Sequence, residues 1–274
     1  MLGREILREW GGLGHEIVAP QPSECDVRIA GDVERVTALV QPGIVVNAAA
    51  WTDVDGAESR PDDAFLVNAL GAENVAAAAA GVGAVVLHVS TDFVFDGRAG
   101  RPYDEFDDPC PLTLYGRSKL AGERLVARVA PRHFVVRTAY LYGRGGRNFG
   151  STLLAGIRGG ETIRADATRR VAPTWTRAMA RQCLRIVGTE RYGVWHAASA
   201  GETTWVGFAQ AMAGRLGRDA RIVAADTRAL GLAAPRPDCS LLEGRMARLT
   251  RIPPMPAWNL ALDEYLESEG SEAG

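Results

Sequence analysis

The chain has 274 residues, of which 47% are hydrophobic and 23% charged, the ordinary composition of a globular protein with a sizeable core. A net charge of -2 and a pI near 6.1 exclude a strongly basic surface, so we expect no nucleic-acid partner and no anionic membrane partner. Four scattered cysteines without a Cys-x-x-Cys pair argue against a zinc site and a disulfide framework, and predict reduced thiols in a cytoplasmic protein. No run of roughly eighteen apolar residues is seen, so we predict no membrane span.

Strand-like and helix-like segments alternate along the first half of the chain, which predicts a doubly wound parallel sheet covered by helices. The start has a helical pattern with charges of both signs. It is followed by predicted strands at 43–48, 84–90 and 134–138, and by predicted helices at 61–81 and 114–129.

Sheet content falls in the second half of the chain. Helices are predicted over 174–187 and 203–216, with short strands at 194–198 and 221–224. We therefore divide the chain into a sheet domain over 1–145, to which later segments return, and a smaller, mainly substrate-binding lobe over 146–274.

Tyr115 and Lys119 form the pair that carries chemistry. They lie four residues apart on a predicted helix and therefore share one face. A phenol ordinarily titrates near pH 10, and a nearby ammonium favours the phenolate, so the pair predicts an acid or base that works around neutral pH. A surface helix with a solvent-reaching lysine would show the same spacing.

Ser90, Thr91 and Asp92 end the strand predicted over 84–90. Open α/β sheets place their ligand-binding groups at this end of their strands, so the Thr91 hydroxyl could reach a carbonyl oxygen in the same pocket as the phenol. Alternatively, these residues form a turn or a helix cap, which their residue types also favour.

Strings of residues around these positions carry a resemblance that runs nearly from end to end. The central strings are Val89-Ser90-Thr91-Asp92-Phe93-Val94-Phe95-Asp96-Gly97, Pro102-Tyr103-x-Glu105 and Tyr115-Gly116-x-Ser118-Lys119-x-x-Gly122-Glu123. The flanking strings are Asn47-Ala48-Ala49-Ala50-Trp51-Thr52, Asn68-Ala69, Arg137-Thr138-x-Tyr140-x-Tyr142-Gly143, Asn148-Phe149, Pro173-Thr174 and Arg236-Pro237-x-x-Ser240. Together they resemble the dTDP-4-dehydrorhamnose reductase family of extended short-chain dehydrogenases.

The resemblance implies a Rossmann-type fold and an NAD(P)H-dependent reduction of the 4-keto group of a dTDP-4-keto-6-deoxyhexose, in dTDP-rhamnose or related deoxysugar biosynthesis. Tyr115 would donate a proton to the keto oxygen, and Thr91 would hydrogen-bond the same oxygen. Lys119 would bind the nicotinamide ribose and lower the pKa of Tyr115. The other implied contacts to the cofactor, NADPH or NADH, are Gly3, Asp26, Val27, Ala49, Ala50, Trp51 and Val89. For Trp51, a packing role is equally expected. Those to the substrate, beside Thr91, are Asp92, Tyr140, Asn148 and Arg236.

The chain departs from the family at its start. Gly3 is the one glycine left of a Gly-rich turn that holds the pyrophosphate, and the strand before that turn, which is central in a doubly wound sheet, is missing. Its loss would leave about ten backbone groups unpaired at roughly 1–3 kcal/mol each. We therefore expect the natural start about ten residues upstream. A truncated chain that binds cofactor weakly, or serves as a binding subunit, is the alternative, and the mass of the natively expressed protein separates the two.

Smaller departures concern the substrate side and a metal. Phe93 replaces a tyrosine common in the family, and Arg169 and Arg170 add charge that could meet the substrate diphosphate, although a solvent-facing position is favoured. The sugar is therefore related to 4-keto-rhamnose without having to be identical to it. Some relatives bind Mg²⁺ through glutamates at a homodimer interface. Glu5 matches one such position, but the other ligands cannot be placed, so the sequence does not support a metal.

Two other functions stay open. A nucleotide-sugar epimerase or dehydratase shares the Tyr–Lys pair and the fold, and Thr91-Asp92 is compatible with a dehydratase. A non-catalytic regulatory subunit of the same fold fits the missing phosphate loop, while the presence of Thr91, Tyr115 and Lys119 argues against it.

Overall fold

The protein was analysed as a computed structural model that describes residues 1–146, 148–225 and 231–271. The helices are α1 (Leu2–Gly11), α2 (Ala30–Val40), α3 (Val54–Ser59), α4 (Pro61–Phe65), α5 (Gly71–Gly81), α6 (Leu114–Val129), α7 (Phe149–Arg158), α8 (Thr176–Val187), α9 (Trp205–Arg215), α10 (Arg245–Thr250) and α11 (Trp258–Ser271). The strands are β1 (Ile44–Asn47), β2 (Val85–Thr91), β3 (His133–Thr138), β4 (Leu141–Tyr142), β5 (Ile163–Asp166), β6 (Thr174–Trp175), β7 (Gly193–His196) and β8 (Ile222–Ala225).

A parallel sheet with the strand order β1-β2-β3-β7 forms the centre of the fold. Val86 of β2 is fully buried, as are its neighbours along the strand, because helices cover both faces of the sheet. The predicted doubly wound α/β architecture is thus confirmed. Outside this sheet, β4 pairs with β6 and β5 with β8, both in parallel.

The edge strand β1 marks where the sheet differs from a complete doubly wound one. Among the described residues no strand comes before α1, which begins at Leu2, and β1 lies at the edge of the sheet. Within them β1 is paired only with β2, and Ile44 at its start is 36% exposed. The segment between α1 and α2 passes this edge without forming a strand.

Two apolar layers enclose the sheet. On one face, Trp10 of α1 packs with Met179 of α8 and donates its indole N–H to the Ala180 carbonyl at 2.9 Å. On the other face, alanines of α5 and Val126 of α6 pack against Val86. The first layer also includes Trp195 of β7, a strand from beyond residue 145, so both halves of the chain contribute to one core. The division at residue 145 stays a prediction.

The predicted helix over 61–81 is continuous but contains a π-helical turn, Leu66–Leu70, between α4 and α5. The sequence pattern predicted no membrane span, but by length and composition the stretch Pro61–Gly81 could cross a membrane. Half of its apolar window is buried inside the fold, where Ala72 and Ala76 contact the sheet layer. It therefore serves as a core helix in this structure.

Candidate active site

Helix α6 presents the predicted chemistry on one buried face. Its start is fixed by Thr113, whose Oγ1 accepts the Gly116 N–H at 2.9 Å as an N-cap. Tyr115, Ser118 and Lys119 follow at helical spacing and are all buried. The prediction that Tyr115 and Lys119 share one face is confirmed, and the alternative of a solvent-reaching lysine is wrong because Lys119 is 2% exposed.

Two glycines allow α6 to lie this close to its neighbours. A Cβ on Gly116 would stand 2.2 Å from the Phe93 carbonyl oxygen, just beyond β2. A Cβ on Gly122 would stand 2.1 Å from the Asn68 carbonyl oxygen in the π-helical turn. Any side chain at either position would push the helix, and Tyr115 with it, away from the end of β2.

The Tyr115 phenol lies at the carboxyl end of β2. A hydrogen bond with the Thr91 hydroxyl favours the phenolate. Burial and the charge of the Asp92 carboxylate favour the neutral phenol. Burial is the largest effect and raises the pKa of Tyr115 to about 12. The predicted lowering of this pKa by Lys119 is therefore wrong for the described structure. At neutral pH the site holds a protonated phenol.

Lys119 is held by groups of β2. Its Nζ donates to the Val89 carbonyl at 2.7 Å and lies 3.5 Å from Nε2 of His88. Burial lowers the pKa of Lys119 to about 8, although the Glu123 carboxylate one turn along α6 opposes this. The lysine can thus change its protonation state near physiological pH.

Thr91 and Asp92 combine both roles that the sequence allowed. Thr91 caps the short helical turn Asp92–Val94, since its Oγ1 accepts the Phe93 N–H at 3.2 Å. The same hydroxyl donates to Oδ1 of Asp92 at 3.1 Å. The other oxygen, Oδ2, is buried without a well-aligned donor among the described residues, although the Ser240 hydroxyl is near enough to favour the carboxylate. Burial prevails and raises the pKa of Asp92 to about 6.

Tyr140 and Ser240 close the cluster from the second half of the chain. Tyr140 has a φ of 46° between β3 and β4, which turns its side chain towards Asp92 and Ser240. The Ser240 hydroxyl donates to the Tyr140 hydroxyl at 3.4 Å. Burial and the Asp92 charge raise the pKa of Tyr140 above its usual range. Ser240 was not among the predicted site residues, although it stood in one of the matched strings.

An aromatic cleft of about 230 Å³ adjoins Tyr140. Trp205 packs edge-on against Tyr140 at 4.8 Å between ring centroids and contacts Phe149 at 4.0 Å. Asn148 also lines this cleft, but its amide caps α7 by accepting the Ser151 N–H and donates to the Gly143 carbonyl at 2.7 Å. The structure thus places the predicted substrate residue at the cleft while using its side chain to shape the loop.

Two arginines act on the cluster through their charge. Arg236, a predicted substrate residue, pairs with Asp55 of α3 at 2.6 Å, and Arg169 has Asp166 as its partner at 3.7 Å. Both favour the phenolate of Tyr140 and therefore lie on its side of the site. Arg169 is 7% exposed and its Nε has no partner among the described residues, so the solvent-facing interpretation is wrong for it. That interpretation holds for Arg170, whose guanidinium pairs with exposed Glu202.

A larger cavity, of about 550 Å³, lies between the segments 196–202 and 241–255. Gln182, His196 and Met255 are among its lining residues, and neither Tyr115 nor Tyr140 contributes to it. We therefore locate the chemistry outside this cavity, at the cluster of Tyr115, Thr91 and Asp92, which the aromatic cleft adjoins through Tyr140.

A buried ion pair supports the floor of the site, and sequence reasoning missed it. Glu123 and Arg137 lie 2.7 Å apart with side chains 5% and 4% exposed. The Ser90 hydroxyl donates to the same carboxylate at 2.5 Å, and the guanidinium lies over the Phe95 ring. A glutamate on a helix and an arginine on a strand within the matched strings were the available signal.

Comparison with known proteins agrees with this geometry. The family described as the RmlD substrate binding domain matches residues 1–270. The whole chain is 37% identical to a dTDP-4-dehydrorhamnose reductase of Streptomyces griseus, of which it covers 92%. The chain belongs to the dTDP-4-dehydrorhamnose reductase family.

Two further comparisons describe the chain's place in the dTDP-4-dehydrorhamnose reductase family. A dTDP-4-keto-6-deoxy-D-glucose reductase of Streptomyces niveus is 36% identical, with 96% of this chain and 92% of that protein covered. The crystal structure of the dTDP-4-dehydrorhamnose reductase of Bacillus anthracis in complex with NADP gives a TM-score of 0.95 at 32% identity, over 97% of this chain and 95% of that one.

The loop after β1 is where a cofactor of this reductase family would lie against the chain. Asn68 of the π-helical turn accepts the Trp51 N–H at 2.9 Å and donates to the Trp51 carbonyl at 3.1 Å, and its amide also donates to Ser118. The Trp51 ring is half-buried and packs over α3 and α4, which leaves a cofactor contact of its exposed part a prediction, while small, exposed Ala49 leaves room beside it. Ala50 between them is half-buried.

The remaining predicted cofactor residues flank this loop. Gly3 in the first turn of α1 faces Ala48, and the helix start has no side-chain cap, so its N–H groups could hold a phosphate. Asp26 is paired with neighbouring Arg28, which lowers the pKa of Asp26 to about 2, and Val27 packs against α5. The residues present thus fit the ribose and phosphate parts of a dinucleotide.

Proposed function

We propose that this chain catalyses the NAD(P)H-dependent reduction of the 4-keto group of a dTDP-4-keto-6-deoxyhexose. One observation carries the proposal: a buried, protonated phenol and a threonine hydroxyl meet at the carboxyl end of a central strand. An acid and a hydrogen-bond donor at one point are what a carbonyl oxygen needs when it becomes an alkoxide. The names of the two Streptomyces relatives support the substrate class.

Each residue of the site has a defined task in this proposal. Tyr115 donates its proton to the keto oxygen, and the Thr91 hydroxyl hydrogen-bonds the same oxygen as negative charge develops. Lys119, mostly charged at neutral pH, binds the nicotinamide ribose. When bound, the reduced nicotinamide supplies the hydride.

The substrate and cofactor contacts extend the proposal along two sides of the site. The sugar nucleotide lies in the aromatic cleft, with contacts to Asp92, Tyr140, Asn148, Arg236 and Arg169. The dinucleotide lies along Gly3, Asp26, Val27, Ala49, Ala50, Trp51 and Val89, and reaches Tyr115 and Lys119 with its nicotinamide end. The NADP complex of the Bacillus anthracis relative supports a dinucleotide cofactor.

Product analysis tests the proposal. The natively expressed protein is incubated with a panel of dTDP-4-keto-6-deoxyhexoses and with NADPH or NADH. We expect one equivalent of cofactor oxidised per sugar reduced, for at least one sugar. Conversion without net cofactor consumption would make the protein an epimerase or dehydratase. Binding of the sugar nucleotide without any conversion would make it a non-catalytic subunit.

We further propose that the protein acts in the cytoplasm, for which its free thiols Cys25, Cys110, Cys183 and Cys239 are the support. A homodimer stays a prediction, which light scattering of the purified protein tests.

A further inference from the structure

Lys119 contacts a buried histidine of the sheet, and this histidine contacts a buried asparagine on the neighbouring strand. The proposed mechanism uses neither of these two residues. Asn47 of β1 and His88 of β2 are register partners, 4% and 0% exposed. Nδ2 of Asn47 lies 3.2 Å from Nδ1 of His88, and Nε2 of the same ring lies 3.5 Å from Nζ of Lys119. These contacts connect the lysine to the strand that leads into the cofactor-side loop.

The orientation of the Asn47 amide follows from its other contact. The backbone N–H of Ala49 donates to Oδ1 of Asn47 at 3.1 Å, and since an N–H can only donate, the oxygen must face Ala49. The amide nitrogen then faces the imidazole, and it too can only donate. Nδ1 of His88 is therefore the acceptor.

The hydrogen on the ring must then be on the other nitrogen. Full burial and the neighbouring lysine lower the pKa of His88 well below its usual range, so the ring is neutral and carries one N–H. With Nδ1 accepting, this N–H is Nε2–H, and it points at Nζ of Lys119. An ammonium has no lone pair, so this contact suits the amine form of the lysine, which donates to Val89 and accepts from His88.

We propose that His88 and Asn47 are positioning residues that couple the protonation of Lys119 to the backbone of the loop at Ala49. When Nζ gains a proton, Nε2 must become the acceptor and Nδ1 must carry the hydrogen. The Asn47 amide then has to turn its oxygen to Nδ1, and the Ala49 N–H loses its partner. A proton on the lysine thus changes the loop after β1 through two side chains.

The charged groups that act on this part of the site include two carboxylates. Glu123 of α6 raises the pKa of Lys119, and it is itself paired with Arg137 of β3. Asp92 beyond β2 acts on Tyr115 on the same helix. The coupling rests on contacts within the chain and not on the proposed function, which enters only in giving the loop its cofactor-side role.

Nuclear magnetic resonance on the full chain tests the coupling without any activity. In protein labelled with ¹⁵N, we expect the Ala49 amide signal and the two His88 ring nitrogens to change together, with one midpoint near the pKa of Lys119, about 8. Below the midpoint Nδ1 carries the hydrogen, and above it Nε2 does. In Lys119→Met the Ala49 titration should vanish. His133, whose Nδ1 faces the Ala130 carbonyl, is the spectroscopic reference for a histidine ring outside this chain of contacts.

Two results of the wild-type titration would overturn the proposal. One is an Ala49 signal that stays constant across the midpoint while Lys119 titrates. The other is a His88 ring that keeps the same tautomer throughout. The wild-type titration alone decides both, so the proposal can be refuted even if the Lys119→Met variant does not fold. Retained Ala49 titration in a folded Lys119→Met variant would also refute it, by assigning the titration to another group.

Discussion

Replacement of Tyr115 by phenylalanine is the sharpest test of the site, because it removes one hydroxyl and leaves the packing of the ring against Phe93. A positioned general acid contributes about 10²–10⁴-fold, or roughly 3–5 kcal/mol of barrier. The structure offers no substitute at pH 7: Asp92, with a pKa of about 6, is mostly ionised, and the aliphatic hydroxyl of Thr91 is a far weaker acid than a phenol. We therefore expect kcat to fall at least a hundredfold.

The assay follows the oxidation of the reduced nicotinamide with the sugar that the panel identifies, and cofactor binding is measured separately by fluorescence. Tyr265→Phe is the matched control, since Tyr265 is also a buried tyrosine whose pKa burial raises to about 12, and it does not line the aromatic cleft. Cofactor affinity should be retained in both variants, and activity only in the control. A Tyr115→Phe enzyme within tenfold of the wild-type rate would refute the assignment of the acid, and an equal loss in Tyr265→Phe would show that the assay responds to core damage.

Three more outcomes follow from the charges of the site. The folded protein holds the Asp92 proton up to about pH 6, whereas the unfolded chain releases it near pH 4, so the free energy of unfolding falls as the pH rises through this window. Asp92→Asn should abolish up to about 3 kcal/mol of that fall, measured by urea unfolding at pH 4 and pH 6. An unchanged dependence of stability on pH in this variant would contradict the reasoning. Arg169→Gln should raise KM for the sugar nucleotide roughly 10- to 100-fold with little change in kcat. Arg170→Gln, at the surface, should leave both values near wild type. If the two variants changed KM by the same factor, Arg169 would have no special contact with the substrate. Glu123→Gln breaks a buried ion pair and should lower the free energy of unfolding by about 3–5 kcal/mol. Glu73→Gln, which loses an exposed ion pair, should lower it by less than about 1 kcal/mol. Equal losses would mean that burial does not decide how strongly these ion pairs stabilise the fold.

Helix α6 shows what could be predicted from the sequence. Its bounds, Leu114–Val129, agree with the sequence pattern because a threonine cap and a regular apolar face define them locally. The meeting of Tyr115 with Thr91 was also predictable, since the helix that follows a parallel strand begins at the edge of the sheet where that strand ends.

The electrostatics of the site could not be predicted in the same way. The pKa of Tyr115 depends on how completely several elements exclude water, and the nearby lysine does not offset that burial. The burial of Arg169 depends likewise on its place near Tyr140, which no local pattern encodes. The π-helical turn at Leu66–Leu70 could not be predicted either, because the alanine-rich stretch that follows has no sharp polar face in which a change of helical phase would show.

That wide turn makes the length of the stretch 61–81 more critical than its exact residues. Asn68 projects from it towards Trp51 and Ser118 only because the turn holds one residue more than an α-helix would. Deleting a single residue here would restore ordinary helical phase and swing the preceding turns by about 100° relative to α5. The alanines of α5 would still pack in the core, but Asn68 would lose its hydrogen bonds to Trp51 in the loop after β1. We therefore expect homologous chains with this loop geometry to accept many substitutions along the outer side of the helix, but no insertion or deletion.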